Sequence, residues 1–145
     1  MSEDYAPMWK SLGMDLDAHD ALLSVLEQGY KDIYLAQKNR PEGMGYFDFV
    51  MSEVHGLRIK ELLDEKKQNR KIIGSYCVFV PEEIVLAGGA TLVGLCSGAD
   101  FAVEDVEKHL PRNTCSLIKS SFGFKLGKVC PYLESADMIV GENTC

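Results

Sequence analysis

The chain carries five cysteines, Cys77, Cys96, Cys115, Cys130 and Cys145, all in its second half. Thiolates are soft ligands for zinc, copper and iron-sulfur centres, and they become nucleophiles where their pKa is lowered. The successive spacings of 19, 19, 15 and 15 residues fit neither the paired CxxC of a zinc ribbon nor the close-set run of a ferredoxin. The first residues, MSEDYAPMWK, carry acids where an export signal needs positive charge. An odd number of cysteines without such a signal argues against a disulfide framework and for free thiols or metal ligation. Spacing alone leaves two readings open for each cysteine: a ligand to iron, or a small buried hydrophobe.

Other side chains with chemical potential are more simply explained. His19, His55 and His109 stand in helical segments with no partner at metal-ligand spacing, which favours surface or helix-end roles. Glu82 and Glu83 follow Pro81, where acids complement a helix start and need no acid-base role. Lys119 could balance a negative cluster or meet a CoA phosphate, but a lone lysine on a short helix is ordinarily solvated. Ser120, Ser121 and the amides near Gly123 could hydrogen-bond cluster sulfurs or simply end a helix. Gly88 and Gly89 do not form a dinucleotide fingerprint.

The elements that must position these residues follow from periodicity. Leu22, Leu26, Tyr30, Ile33 and Tyr34 recur at spacings of three and four, predicting a helix with a packing stripe over 16–38. Asn39, Arg40, Pro41 and Gly43 break it, and Phe47, Val50, Met51, Val54 and Leu57 open a second helical period. A helical preamble over 1–70 is expected, closing in the polar run from Asp64 to Arg70. Beyond it the period changes. Ile72–Val80 predicts a buried strand with Cys77 inside it as core, Pro81 starts a helix stopped by Gly88 and Gly89, and Ala90–Leu95 predicts a second strand. A helix over Val103–Leu110, a helical piece from Cys115 to Ser121 ended by Gly123, and a strand at Met138–Val140 complete the pattern. Strand alternating with helix over 71–145 predicts an α/β class with a Rossmann-like parallel sheet flanked by helices, preceded by the helical segment. Cys96 and Cys145 fall just after predicted strands, at the edge where ligands bind, and Cys115 stands near a helix start that would help it ionise.

At 145 residues and 46% hydrophobic content the chain can bury a real core. Its net charge of -7 excludes a broad phosphate-binding surface, so nucleic acid is not an expected partner. The densest basic stretch, Lys60 to Lys71, is interrupted by Glu61, Asp64 and Glu65 and reads as a solvated helix face. The apolar stretch from Ile72 to Leu95 is broken by Pro81, Glu82 and Glu83, so no membrane span is expected and the chain reads as cytoplasmic.

The segments GSYCVFVPEEIVLAGGATLVGLCSGADF (74–101), LPRNTCSLIKSSFGF (110–124) and CPYLESADMIVGENTC (130–145) resemble, in order, the signatures of the 2-hydroxyacyl-CoA dehydratase D-component superfamily. Within it they are most similar to the double-cubane-cluster branch, in which one polypeptide holds two linked 4Fe-4S cubanes between two related domains. The resemblance implies iron ligation by Cys115 and Cys145, with Cys130 as the additional ligand of the double-cubane branch; it does not clearly require Cys96. Where the family commonly has Pro after its first ligand, this chain has Ser116. The resemblance further implies a 4Fe-4S or double-cubane cofactor and an ATP-dependent iron-sulfur activator protein as electron donor. The substrate would be a 2-hydroxyacyl-CoA or another small molecule. It also implies a second, related domain that supplies the remaining ligands, so that 71–145 is expected to be a truncated cluster-binding part, apo or partly loaded and inactive in isolation. A non-catalytic electron-transfer or assembly module, and a metal-free α/β domain, are the competing expectations. A homodimer through the helical preamble is a further one.

Overall fold

In the computed structural model the described residues are 4–77, 79–95 and 103–142, with only the backbone described for Val103 and Glu104. The chain opens with helices α1 (Ala6–Ser11) and α2 (Leu16–Tyr30). Asp15 caps α2 by accepting from the Ala18 amide at 3.0 Å, as a helix N-cap should. The helix then widens into a π-helical turn, Lys31–Leu35. Helices α3 (Met44–Ser52) and α4 (Leu57–Lys67) follow, and the α/β part runs β1 (Ile72–Tyr76), α5 (Glu82–Ala87), β2 (Thr91–Gly94), α6 (Val103–Val106), α7 (Ser116–Leu126), α8 (Pro131–Ser135) and β3 (Met138–Gly141).

The three strands form one parallel sheet in the order β2-β1-β3. Ile72 pairs with Thr91 on one side of β1, and Ile73 with Met138 on the other. The chain therefore leaves β1 toward β2 and returns past it to β3, which makes the carboxyl ends of β1 and β3 the point where connections diverge and ligands are expected. Register at the start of the sheet is set by Asp137. Its carboxylate accepts from the Ile72 amide at 2.9 Å, its own amide donates to the Ile72 carbonyl at 2.8 Å, and Lys66 pairs with it at 3.3 Å. The Ile72 amide bond holds the Asp137 carboxyl below the usual range, with Lys66 and Lys71 adding to the effect.

One core joins helices and sheet. Ile59 and Leu62 of α4 pack with Ile72, Val93, Leu95, Phe124, Val129, Cys130 and Leu133, while Met8, Leu12, Ala18 and Leu22 from α1 and α2 close over it. The parallel α/β expectation is borne out, and with it the helical N-terminal segment. Several boundaries differ. β1 stops at Tyr76, short of the expected Val80, because Cys77 turns the chain out of the sheet at φ 65°. The helical period after Phe47 is split into α3 and α4 at Gly56, whose Cα faces the Tyr5 ring so closely that a Cβ there would meet it at 2.2 Å. Helix α7 passes through the buried Gly123 and ends at Gly127, packing having overridden the propensity of glycine to stop a helix. Helix α6, expected to reach Leu110, ends at Val106.

The packing stripe expected along 16–38 is only half right. Leu22 reaches the core, but Leu26 is 44% exposed, Ile33 62% and Tyr34 47%. The π-helical turn accounts for part of this, since the wider turn shifts Ile33 and Tyr34 out of phase with Leu22. The α2–α3 connection is instead held by polar bonds: Arg40 donates through both Nη1 and Nη2 to Asp48, and the Tyr30 hydroxyl donates to the same carboxylate at 2.7 Å.

Gly74 lies in the central strand, and a Cβ added there would come within 2.5 Å of Leu95 Cδ1 in the core. Gly74→Ala is therefore expected to destabilise the chain by about 1–3 kcal/mol, seen as a lower urea midpoint at unchanged slope.

Candidate cluster-binding site

The candidate ligand Cys115 is placed by a turn and a helix start. The Thr114 amide donates to the Pro111 carbonyl at 3.0 Å, closing the turn, and Cys115 follows in extended conformation as the N-cap of α7. It is exposed. At this position the dipole of an eleven-residue helix favours the thiolate, the form that binds iron. One turn on, Lys119 was expected to be solvated. It is instead buried, pairing with Glu107 at 2.9 Å and donating to the Arg112 carbonyl at 3.1 Å. That charge is spent on holding α6 and the 110–114 turn against α7, and this ammonium draws the Glu107 carboxyl down. Ser120 and Ser121 donate to the Ser116 and Leu117 carbonyls of their own helix.

Cys130 differs in every respect. It is the N-cap of the five-residue α8, 9% exposed, and is part of the hydrophobic core. Burial pushes its thiol up, opposed in part by the backbone N–H groups of Leu133 and Tyr132. It is a protonated core thiol in this conformation. The whole of α7, rising about 16 Å over its length, lies between Cys115 and Cys130 in the chain, so the structure does not bring these two together. Cys77, read from the sequence as core inside a strand, is a correction: it stands half-buried just past the end of β1. There it neighbours the exit of β3, because Tyr76 is in register with Gly141. A short apolar run cannot reveal where a strand ends, and nothing in the sequence marked Cys77 as its last turn. Cys96 and Cys145 lie outside the described residues. Among the described residues no group of three or more His, Cys, Asp or Glu side chains is arranged to hold a metal ion.

Residues 77–145 match the family described as 2-hydroxyglutaryl-CoA dehydratase, D-component. The resemblance read from the sequence is confirmed over that stretch. All five cysteines fall within the D-component match and none in the 76 residues before it. The chain is also 46% identical over 94 residues to YjiM of Escherichia coli (strain K12), described as a candidate dehydratase subunit. That alignment takes in 65% of this chain and 24% of the relative, so the chain spans about a quarter of the relative's length. Among the described residues no helix is long and apolar enough to cross a membrane.

The contrast between the two described D-component thiols is directly measurable. Brief alkylation of the native chain with iodoacetamide, followed by peptide mass mapping, is expected to label Cys115 at least about tenfold faster than Cys130, with the difference abolished in denaturant.

Proposed function

We propose that this chain is the cluster-binding segment of a 2-hydroxyacyl-CoA dehydratase-like subunit, with Cys115 and Cys145 as iron ligands. The observation that carries this reading is the exposed Cys115 at the N-cap of α7, inside a D-component match that contains every cysteine of the chain. The donor set fits the group: thiolates from loops and helix starts at one side of a parallel sheet are what an iron-sulfur cluster requires. When bound, such a cluster supplies low-potential one-electron transfer. The chain's own part is to present a thiolate at α7, to hold that helix in place through Lys119 and Glu107, and to shelter the site behind the sheet edge.

The remainder of the activity belongs to the same proposal. The electron donor would be an ATP-dependent iron-sulfur activator protein, the acceptor a 2-hydroxyacyl-CoA thioester or another small molecule, and the setting an oxygen-poor cytoplasm. The division into a helical segment, 1–70, and a cluster-binding part, 71–145, with further ligands from a second related domain, completes it.

Within the superfamily, the burial of Cys130 favours a single 4Fe-4S cubane over the double cubane. A third ligand at Cys130 would have to leave the core and lose its proton, and its surroundings oppose both.

Anaerobic reconstitution of the chain with iron and sulfide tests both points. The wild-type chain is expected to bind iron and acid-labile sulfide in equal amounts. Cys115→Ser should lose most of both, and Cys130→Ser should retain them. Iron binding no greater in wild type than in a Cys115→Ser, Cys145→Ser variant would sink the cluster reading, whereas loss in Cys130→Ser would restore the double-cubane assignment.

A further inference from the structure

His19 and His55, expected to lie at the surface or at helix ends, are instead joined inside the protein. His19 is 0% exposed, its Nε2 lies 3.0 Å from His55 Nδ1, and the two rings stack with centroids 5.2 Å apart. Around them meet four separate pieces of chain. The Trp9 ring of α1 stands edge-on to His19 at 4.4 Å, and its indole N–H donates to the His55 carbonyl at 2.7 Å. The Tyr132 ring of α8 stands edge-on to His55 at 6.2 Å, and its hydroxyl donates to the Val54 carbonyl at 2.8 Å. Thus α1, α2, the 53–56 turn and α8 are bound to one another through two imidazoles, and this joint attaches the N-terminal helices to the α/β core.

An N–H···N bond between two neutral imidazoles uses one proton at the shared position. A first added proton puts a charge inside the joint; a second sets two N–H donors face to face at 3.0 Å. The charged and titratable groups around the joint do little to offset either. On α2, Asp20 reaches to 3.9 Å of His19 Nδ1, but its carboxylate is 72% exposed and screened. In the turn, Glu53 is engaged by the Tyr5 hydroxyl of α1 at 2.8 Å and by the Leu57 amide at 3.2 Å. From α8 and α4, Tyr132 is neutral, its hydroxyl pushed up by burial to about 12, with Arg58 and Glu61 acting on it in opposite senses.

We propose that the His19–His55 pair is an acid-sensitive latch: protonation releases α1 and α2 from the α/β core while the parallel sheet stays folded. The direction follows from the burial. Desolvation lowers both imidazoles, His55 to about 4 with His19 contributing, so the latch is fully closed above the ordinary histidine value of 6.5 and is lost as pH falls toward about 4.

Trp9 is the chain's one tryptophan, so its emission reports this joint alone. On acidification from about pH 7.5 to about pH 4, the wild-type chain is expected to show a red shift of Trp9 emission while most far-UV circular dichroism is retained. The ratio of open to closed should rise up to about tenfold per pH unit for each proton taken up. His55→Gln, which keeps a hydrogen-bonding side chain but cannot titrate, should lower the midpoint and the steepness. Unchanged emission over that range, emission lost together with the circular dichroism, or a transition identical in His55→Gln would each overturn the latch. Should His55→Gln fail to fold, proton NMR of the wild-type imidazoles decides: protonation of the pair must track the Trp9 indole signal, and protonation without that change rejects the proposal.

Discussion

The mutual grip of Ile72 and Asp137 determines how the rest of the α/β part can be arranged. Asp137 uses both its main chain and its carboxylate on one residue, and Lys66 of α4 secures the carboxylate in turn. Because β1 is central, fixing β3 against it at this point fixes every pair above, up to Tyr76 beside Gly141. A slip of one residue would invert which side chains face the core. It would also separate the ends of β1 and β3, on which any site at this edge of the sheet depends. Local chemistry at the amino end of the sheet thereby sets the geometry at its carboxyl end.

Periodicity made the class of fold legible, since β-branched runs at Ile72 and Ala90 alternate with helix signals. It placed β3 nearly to the residue, at Met138–Gly141 against an expected Met138–Val140. What it could not supply were features created by contacts distant in sequence. Gly56 divides α3 from α4 because the Tyr5 ring occupies its face, 51 residues away by numbering. The histidine pair is separated by 36 residues, and neither ring has a recognisable neighbour on its own helix. Lys119 reads as solvated until α6 brings Glu107 to it. The exposed apolar residues of α2 and the π-helical turn illustrate the converse: a regular stripe records the capacity to pack, not the presence of something to pack against.

The candidate site divides along the same line. Motif wording identified which cysteines matter, and the D-component match bears on all of them, but only coordinates distinguish an exposed thiol at the start of α7 from a core thiol at the start of α8. Both are N-cap positions, so helix-dipole reasoning alone would treat them alike. Desolvation decides between them, because the cost of a buried thiolate exceeds what a five-residue helix end returns.

The π-helical turn at Lys31–Leu35 has an implication for how this arm of the protein could change over generations. A π-turn holds one residue more than the α-turn it interrupts, so a single-codon deletion within it would restore regular winding and rotate everything that follows by about 100° about the helix axis. The Arg40–Asp48–Tyr30 anchor could not survive that rotation intact. Reading-frame-preserving length change, rather than amino-acid replacement, is therefore the step by which the exposed face of Ile33 and Tyr34 would be redirected, and sequence length across this turn becomes a marker of which way the arm points.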